Sequence, residues 1–176
     1  GSTRSVEIGE VPVVVSSMTA DRDRFEPLAD EVVVGFDDLT TVNSLVEIPN
    51  GHAGLGWSNW VATHRILYGG PGYVNGSQSG EYVAYNGSGH PAAIAAVEGF
   101  DFVGGYVSSA WPGGTEHDVV VEAWRDDELV HADRNSVSTA GSVYFDADYR
   151  SITRLEFRSE ANWQVVVDDL TFRLSP

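Results

Sequence analysis

From Val32 onward, apolar and aromatic residues alternate with polar ones in short stretches cut by Gly, Pro, Asn and Ser clusters. A period of two admits little except β-structure, because only a strand sends successive side chains to opposite faces. The pattern predicts ten strands: Val32–Phe36, Trp57–Thr63, Glu81–Asn86, Ala92–Val97, Phe100–Ala110, His117–Arg125, Leu129–Ser136, Ser142–Phe145, Ile152–Phe157 and Trp163–Arg173. Roughly even spacing of this kind suits an all-β, two-sheet antiparallel β-sandwich. The alternation is clearest from His117 to Trp124, where Val119, Val121 and Ala123 share a core-facing side and Glu116, Asp118, Glu122 and Trp124 share the other. The best helix-forming run, Ala92 to Ala96, is confined between Pro91 and Gly99 and is too short to nucleate alone.

Residues 1–31 break the pattern. Seven acids and three arginines surround one apolar run, Val11–Val15, so this part is expected to be a flexible acidic segment with at most an edge strand. The domain proper is expected over residues 32–176. A length of 176 residues leaves room for one ordinary core. Ten basic against 26 acidic residues give a net charge of −16, which repels phosphate backbones and anionic headgroups and makes nucleic acid a poor partner. No apolar run approaches the roughly 18 residues of a membrane-spanning helix, so no membrane insertion is expected. All ten basic residues are Arg, which excludes lysine Schiff-base chemistry, and the absence of Cys excludes disulfides and thiolate nucleophiles. Gly1-Ser2 reads as the scar of a protease cut, which leaves secretion as the expected route.

Three chemistries are open to the polar and aromatic residues. Glu116, Asp118 and Glu122 invite a glycosidase reading, but at about 3.3 Å per residue the outer two stand on the order of 20 Å apart along a strand, against about 5.5 Å for a retaining pair. Five scattered histidines show no metal-binding spacing. A polysaccharide lyase or hydrolase would have to draw on His64, Arg65, Glu116 and Asp118 as acid, base or cation in one groove. Two acidic pairs, Asp37-Asp38 after the first predicted strand and Asp168-Asp169 inside the last, could meet if those strands pair. They would then hold Ca²⁺, which takes six to eight oxygens, or else serve as edge charges that block aggregation. The aromatics are more numerous than a core of this size needs. Trp57 and Trp60, three apart, are expected on opposite sides of one strand, so that one looks outward. Exposed rings stack on sugar CH faces while Asn59, Asn75, Gln78, Asn86 and Arg65 bond hydroxyls, and the irregular stretch Gly69–Gly80 is a candidate binding loop.

The strings Gly-Phe-Asp-Asp-Leu (35–39), Ile-Pro-Asn-Gly-His-Ala-Gly-Leu-Gly-Trp-Ser-Asn-Trp (48–60), Gly-Pro-Gly-Tyr-Val-Asn-Gly (70–76), Val-Ala-Tyr-Asn-Gly (83–87) and Val-Asp-Asp-Leu-Thr-Phe (167–172) occur in order. They resemble secreted bacterial and fungal proteins with a galactose-binding-like jelly roll, including the extracellular domains of PEP-CTERM sorted proteins. The resemblance covers about residues 32–174. It implies a jelly-roll sandwich and an extracellular, non-catalytic carbohydrate-binding module acting on a glycan or polysaccharide. It also implies Asp37, Asp38 and Asp169 as ligands of a structural Ca²⁺, and the loops bearing Trp60, Tyr68 and Tyr73 as glycan contacts; Asn75, Gln78 and Tyr85 join them as binding candidates on the reading of the residues alone. The sequence departs from the sorted proteins in having no Pro-Glu-Pro motif, hydrophobic anchor or basic tail. A polysaccharide-active enzyme and a structural or adhesive surface protein stand as the alternatives. Asn75-Gly76-Ser77 and Asn86-Gly87-Ser88 fit the N-glycosylation sequon and equally fit Asn-Gly turns.

Overall fold

The computed structural model describes residues 18–19, 30–39, 45–64, 82–110, 117–137, 142–159 and 164–174. Eleven strands lie among them: β1 (Met18–Thr19), β2 (Val32–Val34), β3 (Leu45–Glu47), β4 (Gly56–Ser58), β5 (Trp60–His64), β6 (Tyr82–Asn86), β7 (Ala92–Ser109), β8 (His117–Arg125), β9 (Glu128–Val137), β10 (Val143–Ser159) and β11 (Val165–Leu174). The described helical structure consists of two three-residue 3-10 turns, His52–Gly54 and Gly87–Gly89. The fold is an antiparallel β-sandwich of jelly-roll type; the strands are what the alternation predicts, and the jelly roll is what the resemblance implies.

All strands belong to one hydrogen-bonded network, ordered β3-β5-β6-β11-β7-β10-β8-β9, with β1 on β10, β2 on β11 and β4 on β7. Two layers arise because β7 and β10 bend. The second half of β7 pairs with the first half of β10 and with β11, which carries β6, β5 and β3 beyond it. The first half of β7 pairs with β4 and with the second half of β10, which carries β8 and β9. The bends fall where the ladder slips: Gly99 (φ 89°) in β7, and Asp148 and Ser151 (both φ 53°) in β10. Bulges of this kind let one strand turn a corner and serve both layers.

These bends explain where the sequence reading differs from the fold. Turn-forming residues at 98–99 and 146–151 suggest loops, yet the backbone stays in the ladder through them. Four expected strands are therefore two long ones. Conversely, Trp57–Thr63 is two strands, because Asn59 adopts a left-handed conformation (φ 62°) and moves the backbone from the layer of β4 to that of β5. Trp57 and Trp60 consequently both point inward, at 5% and 0% exposure, with ring centres 6.4 Å apart. The expectation that one of them faces solvent is corrected. The short strands β1 and β3 fall below any periodic signal. Within residues 1–31, Met18–Thr19 pairs with β10, and Asp30 and Glu31 each form an ion pair with Arg173. The Val11–Val15 run lies outside the described residues.

Val119, Val121 and Ala123 face the core as expected. The layers meet through aromatic edges, Trp60 on Phe157 at 5.5 Å and Phe102 on Phe157 at 6.0 Å, while Phe102 and Phe172, paired within one layer, lie 5.5 Å apart. Each fully buried large side chain contributes about 1.5–3 kcal/mol by leaving water.

Candidate functional site

The outward face of the β4-β7-β10-β8-β9 layer is built in rows set by register. Gly56, Ala95, Arg154, Trp124 and Leu129 stand side by side across the five strands, and Ser58, Ala93, Glu156, Glu122 and Ala132 form the next row. Small residues on β4 and β7 thus leave a step down beside large ones on β10 and β8. Trp124 is half-buried, with the Arg154 guanidinium 5.6 Å from its ring centre. Ion pairs of 3.5 Å link Arg154 to Glu156, Arg158 to Glu122 and Arg134 to Asp118. Such exposed pairs add little stability but hold planar polar groups in a fixed array.

The first row opens into a cleft of about 740 Å³ paved by Gly56 and Ala95 and walled by Gly51, Asp126, Asp127 and Thr153. A second cleft of similar volume adjoins it through Val97, Glu98, Asp126 and Thr153 and reaches Asp101 and Arg173. Val97, 89% exposed, caps the ridge where β7 bends. The walls are tied to the backbone. The Asp126 amide donates to Thr153 Oγ1 at 2.8 Å, Arg125 Nε donates to the Ser151 carbonyl at 2.7 Å, and the Ser151 amide donates to Asp101 Oδ1 at 2.8 Å. Arg173 joins Asp30, Glu31 and Asp101, each at 3.4 Å. This arrangement is a pre-formed, open groove of mixed polarity with carboxylates along its walls, and Trp124 stands in the row that leads into it rather than in its lining.

The expected contact residues are distributed differently. Trp60 is a core residue with no exposed surface, so it presents no face to a ligand; its place among the glycan contacts is corrected. Tyr85 is 5% exposed and packs with Val83, Ala110 and Val166 on the outward side of the other layer, where Tyr106, Tyr144 and Asp168 are also buried. It too presents no open ring. Tyr68, Tyr73, Asn75 and Gln78 lie outside the described residues, as do Arg65 and Glu116. His64 is buried at 6% exposure beside Tyr82, with ring centres 5.3 Å apart, on β5. Asp118 is on β8 in the opposite layer, accepting from Ser136 Oγ at 2.9 Å. The two do not share a cleft.

For the acidic pairs, the first described strand of the domain and the last do pair: Val34 is opposite Leu170. Two of the four carboxylates nevertheless already accept backbone amides. Asp37 Oδ1 accepts the Tyr82 amide at 3.1 Å and Asp168 Oδ1 accepts the Asp169 amide at 2.9 Å. Asp38 is exposed, and among the described residues no three His, Asp or Glu side chains gather as a metal site. Asn86 is fully buried, donates to the His90 carbonyl at 2.9 Å and accepts the Val165 amide at 2.6 Å, so in the folded protein its sequon is closed to modification.

At the edge strand β9, His131 stacks on Tyr149 with centres 4.2 Å apart and planes 7° from parallel, and the Tyr149 hydroxyl donates to Asp133. Burial, reinforced by Asp133, raises the Tyr149 phenol well above its ordinary pKa. Of the groove, sequence reading reached only the outward side of β8, with Trp124 and Glu122. Arg154, the Asp126-Asp127 turn and the ridge at Val97 were missed. The one available signal was the Arg125-Asp126-Asp127-Glu128 turn between two alternating strands.

No protein-family model and no curated protein matches the sequence. Solved structures do match. One is the CBM22-1 xylan-binding domain from Paenibacillus barcinonensis Xyn10C, at 14% identity and a TM-score of 0.45 over 68% of this chain and 85% of that one. A second contains the CBM22-1-GH10 modules of the Clostridium thermocellum N-terminal endo-1,4-beta-D-xylanase 10B complexed with xylohexaose, at 9% identity and 0.43, over 82% of this chain and 28% of that one. A third is the Family 16 Carbohydrate Binding Module-2, at 14% and 0.33, over 60% and 86%. The structures it resembles contain carbohydrate-binding modules. No residue role is carried over from them.

Proposed function

We propose that the domain binds a glycan without transforming it, in the groove beside Trp124. The observation that carries this reading is the row Gly56-Ala95-Arg154-Trp124, in which the Arg154 guanidinium lies over a half-buried indole and the small residues at the other end of the row floor an open cleft. An indole offers a flat apolar surface to sugar CH groups, and carboxylates such as Glu122, Glu156, Asp126 and Asp127 accept hydrogen bonds from hydroxyls. Catalysis finds less support, since His64 and Asp118 occupy different layers. An extracellular setting belongs to the same proposal, since structural polysaccharides are met outside the cell. A structural Ca²⁺ at Asp37, Asp38 and Asp169 is a further part of it, supported by the pairing of β2 with β11.

The test is retention on a panel of insoluble and soluble polysaccharides, with the supernatant assayed for released or unsaturated sugars. Retention without product is expected, and Trp124→Ala is expected to weaken it at least about tenfold while leaving the far-ultraviolet spectrum unchanged. Equal retention of Trp124→Ala and wild type would overturn the assignment of the site, and release of product would overturn the non-catalytic reading.

A further inference from the structure

Three Asn-Gly pairs occur in the sequence, at 50–51, 75–76 and 86–87, and two of them are described. An Asn-Gly pair is chemically labile because glycine leaves the backbone nitrogen uncrowded. That nitrogen, once deprotonated, attacks the Asn Cγ; a new C–N bond forms, the bond from Cγ to Nδ2 breaks and ammonia leaves. Water then opens the cyclic imide at either carbonyl to give aspartate or isoaspartate. The reaction needs a nitrogen released from its hydrogen bond and an Asn carboxamide able to swing over it.

We propose that Asn50-Gly51 is a latent modification site of this kind, restrained by the fold and released when the loop between Asn50 and Trp57 opens. Both reacting groups are engaged in the closed loop. The Gly51 amide donates to the Leu55 carbonyl at 2.8 Å, and Asn50 Oδ1 accepts the Trp57 amide at 2.8 Å. The same loop is pinned once more by the Trp57 indole, which donates to the His52 carbonyl at 2.8 Å. Asn50 is exposed to water, so these bonds rather than burial restrain it. Asn86 is the internal reference. It has no exposed surface, its amide bonds His90 and Val165, and the Gly87 nitrogen donates to the Asn59 carbonyl at 3.0 Å. Opening a rim loop costs less than opening the buried junction of β6 and β11. The consequence reaches the groove, because Gly51 walls the cleft: conversion puts a new carboxylate next to that wall, and the isoaspartate form adds one carbon to the backbone leading into it.

The experiment incubates the folded protein and the urea-denatured protein at mildly alkaline pH and follows both sites by peptide mapping with isoaspartate-specific methyl transfer. In urea the two sites are expected to convert at similar rates. In the folded protein Asn50 is expected to convert at least about tenfold more slowly than in urea, and at least about tenfold faster than Asn86. Conversion of Asn50 as fast folded as denatured would remove the restraint, and conversion no faster than at Asn86 would remove the site. Either result overturns the proposal, and neither depends on what the groove binds.

Discussion

Tyr149 shows how much a single position depends on neighbours distant in sequence. Its ring sits between Phe102, Phe145 and His131, and its hydroxyl reaches Asp133 on the adjoining edge strand. The unfolded phenol loses its proton near pH 10.0, while the folded one, raised by burial and then by Asp133, keeps it. Above that pH the unfolded state binds fewer protons than the folded state, so stability falls as pH rises. Urea unfolding of Tyr149→Phe should therefore show a shallower loss of stability above about pH 10 than wild type. An unchanged slope would assign the alkaline loss to other groups. None of this was legible beforehand, since nothing local to Asp-Tyr-Arg (148–150) announces a buried phenol. Trp60 failed for a related reason. Its exposure was inferred from a count of three along one strand, and the left-handed Asn59 makes that count cross two strands. By contrast, the inward set Val119, Val121 and Ala123 was readable because β8 runs through them as a regular strand, even though Val120 on its other side is apolar and buried as well.

Among the elements, β7 carries the described glycine with the least room for a side chain. At Gly104 a methyl group would collide with the Phe145 carbonyl oxygen of β10 and crowd the Tyr144 hydroxyl. Backbone does not move aside as a flexible side chain does. Gly104→Ala is expected to lower stability by about 1–3 kcal/mol, measured as a shift of the urea midpoint. A neutral result would mean that the two strands part there without loss. The Gly-Gly pair at 104–105 was visible in the sequence, yet glycine in a strand signals only that something comes near. What comes near is set by a pairing partner about forty residues away, which alternation does not encode. The same limit explains the groove. Its wall residues lie on separate stretches of sequence, and only their register makes them neighbours.

For the whole molecule, net charge governs how any cation must be judged. A folded protein of charge −16 repels itself, and added salt screens that repulsion whether or not a specific site exists. The Ca²⁺ proposal is therefore tested by chelating a Ca²⁺-loaded sample at fixed ionic strength. A fall in Tm is expected, by the mass-action stabilisation that a bound ion confers, and an unchanged Tm would sink the proposal. The architecture itself was the most legible level, since alternation, turn chemistry and the shortness of the best helix-forming run, Ala92 to Ala96, all point to a sandwich. What the sequence concealed was that its layers are not separate sheets. Because β7 and β10 run unbroken through both, each layer's hydrogen bonds are anchored in the other's backbone. A sandwich of two independent sheets has a seam along which it can part; this one is creased rather than seamed, and to separate its halves is to tear its own two longest threads.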